Sequence, residues 1–187
     1  MKLILGSASP RRLALLAQAN ITPYSINPAN IDERPRRREL PLNYCRRMAL
    51  EKAQFLNLKT DEIILTADTT VSVGRRILGK PSNLDEARAF LTLLSGRRHK
   101  VITAIAARTS ADVKVVSVVS QVKFKRLSIN ELNLYLNSKE WEGKAGGYAI
   151  QGLGSEFIPW ISGSYSGIVG LPLSQTISLL KSLGWKQ

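Results

Sequence analysis

The chain has 187 residues, of which 44% are apolar and 22% charged, enough for one domain with a buried core. No apolar run approaches the roughly 20 residues that span a bilayer, and the apolar start, Leu3 to Leu5, is too short for a secretory signal. The formal net charge of +13 points to a polyanionic partner or substrate, and the single cysteine, Cys45, leaves no internal disulfide, so a cytoplasmic location is expected.

Leu3 to Leu5 reads as a first strand. A tight turn follows, and Pro10 opens a helix to Ala19 with Ser9 as its N-cap and Leu13, Leu16 and Ala17 on its apolar face. Free N–H groups and a partial positive charge at a helix N-terminus attract anions. Ser7, Ser9, Arg11 and Arg12 there form either a phosphate grip or a plain strand-to-helix junction with exposed arginines. Residues 21 to 33 read as extended and end in Asp32-Glu33, before an exposed basic loop from Arg34 to Glu39. Pro41 opens a second helix to about Leu56, with Leu42, Cys45, Met48, Ala49 and Leu56 as its stripe and Lys52 on the neighbouring face. Cys45 lacks a nucleophile's companions, because the lone histidine, His99, lies in a distant segment.

Ile63 to Leu65 is a continuous apolar run, the pattern of a strand buried on both faces. It ends at Ala67-Asp68-Thr69. A carboxylate after such a strand holds a metal or takes a proton from water, or it simply closes an Asx turn. Val71 to Leu78, broken at Gly74-Arg75, reads as a hairpin. In Gly79-Lys80-Pro81 the glycine permits close approach and the proline stiffens the exit, which suits Lys80 to a phosphate. Asn83 and Glu86 mark the next helix start, and Gly96 its stop. Val101 to Ala107 and Val113 to Phe124 read as strands. Ser128 and Glu131 form a capping box for a helix to about Asn137. Residues 143 to 154 are glycine-rich, and Gln151 there offers a donor and an acceptor to a nucleobase edge, or sits in a turn packed by Tyr148 and Ile150. A short hairpin around Gly163 and a last helix from Pro172 to Gly184 complete the chain.

Strands alternating with helices argue for an α/β fold, and the hairpins for a mixed sheet. Asp32-Glu33 acquires meaning if one carboxylate meets Asp68, since two carboxylates and a triphosphate make a magnesium or manganese site. One cysteine and one histidine exclude a zinc cluster, and neither the Walker nor the Rossmann glycine pattern is present. Arginine pairs are spread along the chain and aromatics make up only 6%, which argues against a nucleic-acid partner.

In order and spacing, Ser7-Ala8-Ser9-Pro10-Arg11-Arg12, Asp32-Glu33, Glu51-Lys52-Ala53, Ala67-Asp68-Thr69, Gly79-Lys80-Pro81, Leu94-Ser95-Gly96-Arg97, Lys144 to Gly154, and Val169-Gly170-Leu171-Pro172 resemble the Maf proteins. These are small nucleoside triphosphate pyrophosphatases, also described as septum-formation inhibitors, and the resemblance covers essentially the whole chain. It implies a single domain, residues 1–187, with an elongated mixed α/β sheet flanked by helices, similar to the inosine triphosphatase group, and an active-site cleft between two lobes. It also implies hydrolysis of a nucleoside triphosphate to the monophosphate and pyrophosphate with a divalent cation, magnesium or manganese. The catalytic aspartate falls on Asp68, and Glu33 joins it in holding the metal. The family's lysines fall on Lys52 and Lys80, and with Ser7, Ser9 and Arg12 at the helix N-terminus they are the expected phosphate ligands. Arg11, Thr69 and Gln151 match the branch acting on dTTP and UTP; the branch resembling 7-methyl-GTP pyrophosphatases usually carries glutamine after the aspartate and glutamate in the late loop. A homodimer is common in this fold group. The rival class is a nucleotide-binding regulator of cell division or septum formation, and a rival within the enzyme class is clearance of modified pyrimidine triphosphates. Three features depart from the family pattern: Gly143 where many members have an acid, Thr70 where an apolar residue is common, and the basic run Arg36-Arg37-Arg38.

Overall fold

A twelve-residue strand, β3 (Glu62–Val73), organises the fold, and the computed structural model describes residues 1–186 around it. Before it come β1 (Lys2–Leu5), α1 (Pro10–Gln18), β2 (Ser25–Ile26) and α2 (Pro41–Phe55). After it come β4 (Arg76–Leu78), α3 (Leu84–Leu94), β5 (Arg98–Arg108), β6 (Val113–Lys123) and α4 (Ile129–Asn137). Two 3-10 turns, Ala145–Gly147 and Leu153–Phe157, then lead to β7 (Trp160–Ser162), α5 (Tyr165–Val169) and α6 (Leu173–Ser182). The sheet runs β2-β1-β3-β5-β6-β7, with β4 also paired to β3. β1 is parallel to β2 and β3, and the other pairings are antiparallel, so the sheet is mixed as the hairpin signals indicate.

Alternation along β3 sends its side chains to two faces, which serve three apolar clusters. Ile63, Leu65 and Ala67 face Leu15 and Leu16 of α1 and Leu179 and Leu180 of α6. Val71, further along the same face, enters a second core with Phe90, Leu91 and Leu94 of α3 and with Phe124 and Tyr135. On the opposite face Ile64 packs with Cys45, Ala49 and Ala53 of α2.

Several local expectations change. The strand beginning at Glu62 does not stop before Asp68. It runs on to Val73, because Thr66, Thr69, Thr70 and Val71 are β-branched residues that suit a pleated surface. Residues 21 to 33 contain only the two-residue strand β2, flanked by Pro23 and Pro28, which donate no ladder bond. Gly163 does not turn a hairpin. β7 pairs with β6, and Gly163, at φ +108°, passes the chain into α5, whose N-cap Ser164 accepts from the Gly167 amide. In α1 the buried pair is Leu15 and Leu16, while Ala17 is exposed. In α2 Cys45, Met48 and Ala49, with Leu56 at its C-cap, are buried as expected, but Leu42 is exposed and Lys52 is buried. Ser9 occupies the N-cap position of α1 without a side-chain capping bond. Asn83 caps α3 as expected, whereas the Glu86 carboxylate turns to Ser82. The capping box of α4 forms as written in Ser128 and Glu131. Among the described residues no helix is long and apolar enough to cross a membrane.

Candidate active site

Two short strands share one edge of β3, because β5 occupies the other edge from Ile64 to Ser72. β1 pairs with residues 62 to 65 and β4 with residues 71 to 73. Residues 66 to 70 therefore border a break in the sheet, and a cleft of about 830 Å³ opens there. Asp68 reaches solvent through this gap rather than from a strand end. The walls come from the first two cores: Gly6 to Arg12 and Gly170 on one side, Ile77 to Lys80 and the Glu142–Gln151 loop on the other. All ten candidate residues line it: Ser7, Ser9, Arg11, Arg12, Glu33, Lys52, Asp68, Thr69, Lys80 and Gln151. Six cationic side chains (Arg11, Arg12, Arg34, Lys52, Lys80, Lys144) face three carboxylates (Glu33, Asp68, Glu142), a positive excess suited to a polyanion.

At the floor, Lys52 Nζ lies 2.8 Å from Asp68 Oδ1 and 2.8 Å from Glu33 Oε1. Its position follows from α2 lying across the Asp68 face of β3. Burial pulls the Lys52 ammonium down, but Asp68 and Glu33 outweigh it and its pKa stands above the ordinary lysine value. Asp68 Oδ2 accepts from the Thr70 hydroxyl at 3.1 Å, so both carboxylate oxygens are oriented. The Tyr44 hydroxyl donates to the Glu33 carbonyl at 2.8 Å and anchors the otherwise irregular segment that carries Glu33. Asp32, adjacent in sequence, is turned outward and held by Arg34, which pulls its carboxyl down to about 2.

The two arginines after Pro10 have different settings. Arg12 is half-buried and forked: Nε donates to the Gly170 carbonyl at 3.0 Å, NH1 to Ser7 Oγ at 2.8 Å, and NH2 to Thr69 Oγ1 at 3.4 Å. It is a wired wall of the cleft, not a surface charge. Arg11 has no such anchoring, and burial lowers its pKa. Thr69 Oγ1 also lies 3.0 Å from Thr103 Oγ1, whose hydroxyl donates to the Gly167 carbonyl at 2.7 Å. Thr69 thus points to the α5 side while Asp68 points to α2, and the cleft receives both because it opens at the strand edge.

Opposite, the loop carrying Gln151 is shaped from behind. Gly146 sits at φ +71°, and a Cβ there would lie 2.9 Å from Val71 Cγ1. The Glu140 carboxylate accepts from the Leu153 and Gly154 amides at 2.8 and 2.9 Å. Tyr148 is tied to His99 Nε2 at 2.6 Å. Gln151 itself is exposed, as is Lys80. Cys45 is buried beneath Asp68 and burial pushes its thiol up to about 12, which removes it as a nucleophile.

Tyr44, Glu140 and His99 escaped the sequence reading because each acts through a partner 11 or more residues away. Lys144 was legible only as part of a glycine-rich motif. It lines the cleft with its pKa lowered, first by burial and then by Arg11.

A model of the family described as Maf-like protein matches residues 2–183. The chain belongs to the Maf family. A dTTP/UTP pyrophosphatase of Cereibacter sphaeroides is 62% identical, covering 98% of this chain and 96% of its own length. Another Maf relative, a dTTP/UTP pyrophosphatase of a Ruegeria species, is 55% identical over 99% of this chain and 96% of its own. Among solved structures, a HAM1 protein from Coxiella burnetii overlaps 68% of this Maf chain and 74% of its own, at a TM-score of 0.46 and 16% identity.

Proposed function

We propose that residues 1–187 act as one pyrophosphatase domain that hydrolyses dTTP and UTP to the monophosphate and pyrophosphate. The observation that carries this is the convergence of ten residues from separate segments, each picked for one role in that reaction, on a single cationic cleft. The two Maf relatives named for this activity supply the substrate class.

Arg11, Arg12, Lys52 and Lys80, with the Ser7 and Ser9 hydroxyls, hold the triphosphate by charge-assisted hydrogen bonds. Thr69 and Gln151 face the base and sugar from opposite walls, and Arg11 stands beside them in choosing the substrate. Asp68 orients or deprotonates the water that attacks the α-phosphorus; Thr70 fixes the direction of its Oδ2, and in the empty cleft Lys52 holds its Oδ1. The pyrophosphate that leaves is held by Lys80 and Lys52. Most of the rate enhancement comes from positioning and fixed charge, as in other phosphoryl chemistry.

Glu33 and Asp68 suit a divalent cation, since both carboxylates already converge on one ammonium and offer hard oxygen donors. Among the described residues no group of three or more His, Cys, Asp or Glu could hold a metal, so Glu33 and Asp68 would hold the cation together with oxygens from outside the protein. When bound, the cation neutralises phosphate charge and lowers the pKa of bound water. The lone cysteine, buried and unpaired, fits work in a reducing compartment such as the cytoplasm.

A triphosphate panel with magnesium or manganese tests the substrate class. Pyrophosphate release is fastest with dTTP and UTP; a preference for 7-methyl-GTP, or binding without turnover, contradicts it.

A further inference from the structure

The most unusual feature of the cleft floor is the cation already there. Lys52 is 8% exposed, and its ammonium is shared at 2.8 Å by the two carboxylates that would ligate a metal. A divalent ion takes Glu33 Oε1 and Asp68 Oδ1 only by displacing the ammonium, and an approach through the second oxygen of either carboxylate meets repulsion from the same charge. The rest of the cleft adds to the barrier, since Arg11, Arg12, Arg34, Lys80 and Lys144 face only Glu142 there. A triphosphate reverses that balance: each phosphoryl group carries at least one negative charge and offers Lys52 new acceptors.

We propose that Lys52 is a resident cation that withholds Glu33 and Asp68 from free divalent ions until a triphosphate gives its ammonium another anion to bind. This rests on the pyrophosphatase reading of the cleft and adds an order of events to it. In the empty cleft Lys52 keeps the two carboxylates together. On nucleotide binding the ammonium moves to phosphate oxygens, and the carboxylates become ligands. Metal binding is thereby coupled to nucleotide binding, and the protein does not hold a metal without a substrate.

The test is Mn²⁺ binding to the full chain without nucleotide, followed by electron paramagnetic resonance, for wild type, Lys52→Met and Lys52→Arg. Lys52→Met binds Mn²⁺ about tenfold more tightly than wild type or better. Lys52→Arg, which keeps a cation there, stays close to wild type. In the double variant Lys52→Met with Asp68→Asn the gain disappears. If the bare carboxylate pair prevents Lys52→Met from folding, Mn²⁺ restores a cooperative melting transition. Equal affinities in wild type and Lys52→Met, a gain that survives Asp68→Asn, or an unfolded variant that Mn²⁺ does not restore would each overturn the proposal. UTP hydrolysis by wild type is scored in parallel. Its absence counts against the pyrophosphatase function, whereas a flat Mn²⁺ comparison beside normal hydrolysis counts against the role of Lys52 alone.

Discussion

Asp68 and Arg12 take their settings from partners both near and remote in sequence. Asp68 is oriented by Lys52 and Thr70, and Arg12 ties Ser7, Thr69 and Gly170 into one wall. A lysine cannot reproduce that fork with one ammonium. Arg12→Lys therefore loses about 1–3 kcal/mol in urea denaturation and lowers UTP turnover; unchanged stability would detach Arg12 from the wall. Gln151 faces the cleft without a protein anchor, so its substitution reports on ligand rather than fold. Gln151→Glu removes the amide donors, and the kcat/KM preference for UTP over GTP falls about tenfold or more, read by steady-state kinetics with unchanged melting. An unaltered preference would take Gln151 out of base recognition. At this scale the sequence was legible for ten of the residues that line the cleft, but not for Thr70 or Lys144, which line it too. It was not legible for their supports: Tyr44, Glu140 and His99 look ordinary until the fold brings their partners to them.

Among the elements, capping chemistry was the most readable, because it is local. Asn83 and Ser128 cap α3 and α4 where the sequence places them. β3 was misjudged because its apolar run ends at Leu65, and Ala67-Asp68-Thr69 looks like a turn. Its continuation depends on pairing with β5, a contact no local pattern reveals. The same strand, β5, braces the Gln151 loop through His99 and Tyr148. Burial holds the His99 imidazole down to about 4. An unfolded histidine takes up a proton near pH 6.5 and the folded one does not, so this contribution is intact above about pH 6.5 and is lost as pH falls toward about 4. The loss over that window is about 3 kcal/mol. Urea denaturation at a series of pH values shows it as a slope, and His99→Gln flattens that slope; an equal slope in the variant would contradict the assignment.

For the molecule as a whole, the site is a product of topology. β1 and β4 stop short of each other on one edge of β3, and residues from two cores meet across the opening. Alternation of strands and helices gave the α/β class, but not this break, which depends on strand lengths and pairing. The net charge of +13 was visible from the outset. Only the fold divides it into cations that line the cleft and cations such as Arg37 and Arg38 that remain on the exposed basic loop. By the proposed mechanism the cleft cuts UTP between its α- and β-phosphates with Asp68 at the reacting centre. Phosphorus NMR of UTP incubated with the protein and magnesium tests it most directly. UMP and pyrophosphate appear in equal amounts with wild type, and Asp68→Asn slows their appearance about a thousandfold or more while still melting cooperatively. Formation of UDP and phosphate, or undiminished turnover by Asp68→Asn, would contradict it.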